Sequence, residues 1–191
     1  MKIIGLTGSS GAGKDTVCEI IEKNYEVEIV DADKIAKQLS KKGTMYLNSI
    51  VENFGTGIIN KNGELNRKKL ANIIFEDERK REELNKLTFI YVVDAIQKKI
   101  NTIKKKIIIV NAPLLFESNL NTICDFVIAV VSDRKTQIER IINRDGITKE
   151  EAEKRLDAQN TNEFFEENAD YIIKNNNSIE DLEKQISKIR I

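Results

Sequence analysis

Ile3-Ile4-Gly5-Leu6-Thr7-Gly8-Ser9-Ser10-Gly11-Ala12-Gly13-Lys14-Asp15-Thr16 is the stretch on which the fold of this chain turns. Ile3–Thr7 is short, largely apolar and β-branched, and reads as a buried strand. Glycine then recurs at Gly8, Gly11 and Gly13, and from Lys14 to about Asn24 the apolar spacing becomes helical. Gly, four residues, then Gly-Lys between a strand and a helix is the pattern of a phosphate-binding loop. Glycine admits backbone conformations and close approaches that a Cβ would block. Successive backbone N–H groups then converge on a phosphate at the positive end of the helix. The plainer explanation, a glycine-rich turn with an incidental lysine, does not account for the strand–loop–helix order.

The loop nominates Gly11, Ala12, Gly13, Lys14, Asp15 and Thr16 as nucleotide-binding residues, with Lys14 reaching between the β- and γ-phosphates as a mobile point charge. Asp15 stands where Ser or Thr usually offers a hydroxyl to Mg²⁺. Its carboxylate can hold the ion directly or through water, or Thr16 can supply the hydroxyl one residue later, and the sequence leaves both open. The third strand ends at Asn111, where many phosphate-loop proteins carry an Asp that organises magnesium. Mg²⁺ held mainly through water and nucleotide oxygens is the expectation.

Further β-branched runs at Val27–Val30, Lys106–Val110, Phe126–Val131 and Tyr171–Ile173 alternate with helical stretches, among them Arg134–Arg144. Near-continuous apolar strands between helices predict a mainly parallel sheet covered on both faces, hence a three-layer α/β phosphate-loop fold. Between Asp33 and Lys105 lies a long helical insertion whose inward positions are Leu70, Ile73, Ile74, Leu84 and Leu87. Thr148 and Ser178 read as N-caps with an acid three residues on, and a closing helix is expected over Ser178–Ile191. One domain is expected, with a core over about 1–33, 105–140 and 169–191. The helical acceptor-binding insertion takes about 34–104 and a small helical lid about 141–168. Most of that lid is the charge-rich stretch Gly146–Asn168, placed to close and exclude water.

Composition removes several classes. Lys and Arg (31) balance Asp and Glu (31), so there is no bulk positive field for a nucleic acid. Histidine is absent, which excludes Ser-His-Asp and Cys-His catalysis and His-ligated metals. Cys18 and Cys124 lack metal-type spacing and read as reduced structural thiols. No apolar run approaches the ~18 residues of a membrane span, and the first residues do not read as a signal peptide, so a cytoplasmic protein is expected.

A phosphate loop alone does not choose a substrate. The guanine-reading Asn-Lys-x-Asp of GTP switches is missing, since Asn60-Lys61-Asn62-Gly63 lacks the acid. Beyond the loop come Asp31-Ala32-Asp33-Lys34-Ile35-Ala36, Phe54-Gly55, Asn62–Ala71 and Phe75, then Arg81, Leu84-Asn85 and Pro113-Leu114-Leu115-Phe116-Glu117. Gln137, Arg140, Arg144-Asp145-Gly146, Gln159, Ala169-Asp170-Tyr171 and Asn175 follow. In this order and spacing the chain resembles the dephospho-CoA kinase family over nearly its whole length. Two departures are Asp15 and Thr88-Phe89, the latter where the family usually has His-Pro.

The resemblance implies transfer of the ATP γ-phosphoryl group to the ribose 3′-hydroxyl of dephospho-CoA. Asp33 then orients that hydroxyl and accepts its proton, with Asp31 as second choice; from the residues alone, Asp33 is equally a helix N-cap. Arg140 and Arg144 lie four apart on one helix face and are placed to fork onto the phosphates, against the reading of a solvated basic face. Asn175 joins the ATP-binding set. Arg67 and Arg81 are expected to read the acceptor's phosphates, or else to form surface salt bridges. Leu114, Leu115 and Glu117 are expected to wall the acceptor pocket, or to be core. ATP, dephospho-CoA and Mg²⁺ are the implied partners, with no nucleic acid or membrane, and a monomer is expected over a weak homo-oligomer. The competing readings are another small-metabolite or nucleotide kinase of the same fold, and a non-catalytic nucleotide-binding regulator.

Overall fold

The computed structural model describes residues 1–191. Its strands are β1 (Lys2–Thr7), β2 (Val27–Asp31), β3 (Ile107–Asn111), β4 (Phe126–Val131) and β5 (Tyr171–Lys174). They form one sheet in the order β2-β3-β1-β4-β5. The central strand β1 runs parallel to β3, with Leu6 opposite Asn111, and parallel to β4, with Leu6 opposite Ile128. These are the predicted strands, with ends shifted by a residue at most places.

Alternation along the strands builds the layers. Ile4, Leu6, Ile109, Ile128 and Val130 pack with Val17 and Ile21 of α1 (Lys14–Asn24) and Leu182 and Ile186 of α9 (Ile179–Ile186). Ala129 and Val131 point the other way, onto Phe165 of α8 (Asn162–Asn168). Both faces are therefore covered, as parallel sheets require. Gly5 is a packing gap: a Cβ there would lie 2.8 Å from Leu115 Cδ2 and 3.1 Å from Cys124 Sγ. The closing helix stops at Ile186 rather than Ile191, and Ile189 is buried against the same core beyond it.

The chain divides into two compact units, Met1–Val30 with Ile103–Ile191, and Asp31–Thr102. In the second, α2 (Ala32–Leu39), α3 (Met45–Phe54), α4 (Arg67–Glu76) and α5 (Glu78–Thr102) enclose Tyr46, Ile50, Ile58 and Leu70. The predicted inward residues Ile73, Ile74, Leu84 and Leu87 line that core. Thr88-Phe89 lies inside α5, which runs unbroken for 25 residues. A proline at 89 would remove a helix hydrogen bond and clash with the preceding turn. Thr88 donates to the Leu84 carbonyl and shares a hydrogen bond with the Tyr46 hydroxyl, both at 2.7 Å.

In the first unit, α6 (Arg134–Asp145) turns through Gly146 into α7 (Lys149–Asp157). Ile138 and Ile141 of α6 pack on Ala152 and Leu156 of α7. The Thr148 hydroxyl accepts from Glu151 N–H while the Glu151 carboxylate accepts from Thr148 N–H, a reciprocal cap that fixes where α7 begins.

Candidate active site

The phosphate loop leaves β1 at Thr7 and delivers Lys14 to the start of α1. Gly13 is the N-cap of that helix, at φ 92°, and no side chain caps the first-turn N–H groups. Uncapped donors at a helix N-terminus make an anion site. Two glycines are required here by space as well as by conformation. A Cβ on Gly11 would lie 2.6 Å from the Gln137 carbonyl oxygen, and one on Gly13 would collide with the Asn175 side-chain amide. Lys14 Nζ donates to the Gly8 carbonyl at 2.7 Å, so the ammonium lies folded back over the loop.

The loop is braced from α6 and from the end of β5. Arg140 donates through Nη1 to the Gly11 carbonyl and through Nη2 to the Asn175 carbonyl, each at 3.1 Å. Asn175 Nδ2 donates to the Ala12 carbonyl at 2.8 Å. Gln137, 4% exposed, donates to Ser9 Oγ at 2.6 Å and to the Ser10 carbonyl at 3.2 Å. Gln159 accepts from Ser10 N–H at 2.8 Å and donates to Ser10 Oγ at 3.1 Å. Ser9, Arg134, Gln137, Gln159, Asn160 and Asn162 line a cleft of about 300 Å³ beside the loop.

Arg144, four residues beyond Arg140, turns to its own neighbour: Nε and Nη2 donate to the two oxygens of Asp145 at 2.8 and 2.9 Å. Arg155 of α7 bonds the same carboxylate. Arg144 first, then Arg155, holds the Asp145 carboxyl down at about 2. Two guanidinium groups thus converge on one carboxylate here.

After β3, Leu114 is half-buried and Leu115 is fully buried, packed where Gly5 leaves room. Partial burial raises the Glu117 carboxyl above its ordinary value, and its Oε1 accepts from Asn160 Nδ2 at 2.9 Å. Asn111, 5% exposed, has a side-chain oxygen that is buried with no hydrogen-bond partner. It shares its register with Leu6 and hence the sheet face that α1 covers, one step beyond the Ile4–Ile109 pair.

In the Asp31–Thr102 unit the two aspartates after β2 part company. Asp31 caps α2, its Oδ1 accepting from Lys34 N–H at 2.8 Å. Asp33 sits in the first helical turn, so the capping role does not fall to it. Arg67 of α4 donates to Ser40 Oγ, and Arg81 of α5 pairs with Glu78 at 2.8 Å. Asp145 entered the sequence reading only within Arg144-Asp145-Gly146, while Arg155 and Asn162, whose Nδ2 donates to the Ser132 carbonyl at 3.0 Å, were not expected to matter. Their only advance signal is a charged or amide side chain in a polar stretch.

A family model described as dephospho-CoA kinase matches residues 2–181, which takes in every group described above. The chain belongs to the dephospho-CoA kinase family. A dephospho-CoA kinase of Fusobacterium nucleatum is 42% identical over 187 residues, 97% of this chain and 95% of that relative. The structure of the dephospho-CoA kinase from Campylobacter jejuni matches with a TM-score of 0.69 and 29% identity, covering 98% of this chain and 95% of that one. A crystal structure from Thermus thermophilus has a TM-score of 0.82 at 24% identity, over 98% of this chain and 94% of its own, and bears on the fold alone. The fold of this chain is thus similar to that of the Campylobacter jejuni dephospho-CoA kinase over nearly the whole length of both.

Proposed function

We propose that Lys14, Arg140 and the N–H groups from Gly11 to Thr16 hold the phosphates of ATP while Asp33 orients the acceptor hydroxyl. The chain is an ATP-dependent dephospho-CoA kinase by family. The γ-phosphoryl group passes to the ribose 3′-hydroxyl of dephospho-CoA, giving CoA and ADP, the last step in making the coenzyme. The carrying observation is the uncapped start of α1 at Gly13, where backbone donors converge beside Lys14. Phosphoryl transfer asks the protein mainly for positioning and for positive charge around the transferring group. Lys14 leaves its Gly8 carbonyl to meet phosphate oxygen. Arg140 keeps the loop in shape and adds a fixed positive charge at its edge; Asn175 supports the same edge.

A carboxylate with a pKa near ~4 is a weak base for a sugar hydroxyl. In a loose transition state, however, the proton leaves late, so Asp33 contributes mostly by accepting a hydrogen bond from the 3′-hydroxyl and fixing its direction. Arg144 is the second phosphate-side guanidinium, reached by exchanging Asp145 for nucleotide oxygen. Arg67, Arg81, Leu114, Leu115 and Glu117 belong to the acceptor side, with Leu115 acting through packing.

Mg²⁺ accompanies ATP in this reading. The chain gathers no group of three or more acidic, His or Cys side chains, which suits an ion that keeps several waters and binds through phosphates. Asp15 and Thr16 are its candidate ligands, and the unpartnered oxygen of Asn111 fits a water of its shell. When bound, the ion neutralises charge on the β- and γ-phosphates. The segment 141–168 serves as the lid, and the protein acts as a cytoplasmic monomer.

An ADP-release assay with Mg-ATP tests the assignment, offering dephospho-CoA, adenosine, AMP and shikimate in parallel. Turnover with dephospho-CoA alone is expected. Turnover on a different acceptor sinks the substrate assignment, and ATP binding without any turnover points to a regulator and to Asp15 as the position to examine.

A further inference from the structure

Ser10, in the leading half of the phosphate loop, has a glutamine partner at its N–H, its hydroxyl oxygen and its carbonyl. Its N–H and Oγ are both taken by Gln159, at 2.8 and 3.1 Å, and its carbonyl accepts from Gln137 at 3.2 Å. The two glutamines differ in what stands behind them. Gln137 is buried in α6, a fixed part of the core. Gln159 lies in the short connection between α7 and α8, where its N–H bonds the Leu156 carbonyl, Thr161 caps α8, and amide side chains reach outward from Asn160 to Glu117 and from Asn162 to the Ser132 carbonyl. A reciprocal pair of hydrogen bonds to one loop residue, at both main chain and side chain, fixes a relative orientation as well as a distance.

We propose that Gln159 is a positioning residue that couples the lid to the phosphate loop. The idea rests on reading 141–168 as the lid. With nucleotide on the N–H groups of Gly11 to Thr16, the loop is held in the one shape that presents Ser10 N–H and Oγ to Gln159. The segment Gln159–Asn162 then gains a stable dock, and α7, joined to it directly, is held down. Binding energy spent on phosphate is thereby passed to the cover over the site, and by reciprocity a docked lid strengthens nucleotide binding by the same factor. Gln159 touches no reacting atom in this scheme. Its amide matches a site that needs one acceptor and one donor on neighbouring atoms, which a carboxylate or an alkyl chain of the same length does not provide.

Hydrogen exchange of the intact protein with and without Mg-ADP, at concentrations saturating each variant, tests the coupling. In the wild type, ADP should slow exchange in peptides spanning 149–163 by at least roughly 5-fold, the low end of ordinary coupling factors. In Gln159→Leu that slowing should vanish while ADP still protects the phosphate loop itself. Equal slowing in both proteins overturns the coupling. No slowing in the wild type overturns the lid reading beneath it, a different result recognisable before any variant is made. If Gln159→Leu fails to fold, Ser10→Ala, which keeps the backbone bond and loses the hydroxyl bond, should lose part of the protection; full protection there overturns the proposal.

Discussion

Asp31 and Asp33 sit two residues apart with the same functional group and different work. Asp31 closes the first turn of α2, so a purely structural account of that turn already has its residue. Asp33→Ala should therefore leave the melting temperature within a few degrees of wild type while lowering turnover by about 10²-fold or more, the usual scale for a positioned acid–base group. Lys14→Ala should do likewise through the phosphate side. Steady-state kinetics with circular dichroism checks both, and near-normal turnover in Asp33→Ala would remove it from the mechanism. From the sequence, either aspartate satisfies a cap three residues ahead of a backbone N–H, and only the hydrogen bond to Lys34 separates them. The amides are a harder case. Gln137, Gln159 and Asn175 entered as pieces of a family pattern, because an amide side chain carries neither charge nor periodicity. What they do, pinning Ser9, Ser10 and Ala12, depends on partners more than 120 residues away. Asn111 is another amide of this kind, its side-chain oxygen buried at the end of β3 without a hydrogen-bond partner.

Helices α6 and α7 meet at Asp145, and their contact has a sign that can be worked out. The carboxyl stands at about 2 in the fold against an ordinary 3.8. A lowered acid stabilises the fold when ionised, so its contribution is complete above the ordinary value and disappears as the pH falls through about 2. Arg144 is 56% exposed, and exposed pairs contribute about 1 kcal/mol or less. Asp145→Asn should then be slightly less stable than wild type at pH 7, with the two melting curves converging as the pH drops from about 4 to about 2. A constant gap across that range would mean the loss is not electrostatic. Elements were the readable scale: β-branched runs gave the strands, and Thr148 with Glu151 gave the start of α7. The overextended last helix shows the limit. Ile189 and Ile191 continue the apolar spacing past Ser187, yet they meet the core from a turn. Thr88-Phe89 shows another: it reads as a lost His-Pro, and in the fold it is the uninterrupted middle of α5.

At the scale of the whole molecule, nucleotide binding and folding are one equilibrium. A ligand at 100 times its Kd adds about 2.7 kcal/mol to stability, which for a chain of this size raises the melting temperature by roughly 5–10 °C. Mg-ADP should produce such a rise in the wild type and much less in Lys14→Ala, read by differential scanning fluorimetry; an unchanged rise would mean that the phosphates bind elsewhere. The division into two compact units carries a further consequence. Asp31–Thr102 is continuous in sequence, whereas the other unit is closed only by segments that come after it. The strand carrying the phosphate loop has its neighbours at Ile107–Asn111 and Phe126–Val131, the nearer about 100 residues downstream. At ~5–20 residues per second on the ribosome, that strand waits roughly 5–20 s with both edges unpaired while the helical unit is being made. During synthesis, then, the oldest strand of the chain stays open to wrong partners until segments about 100 residues younger arrive to cover its edges.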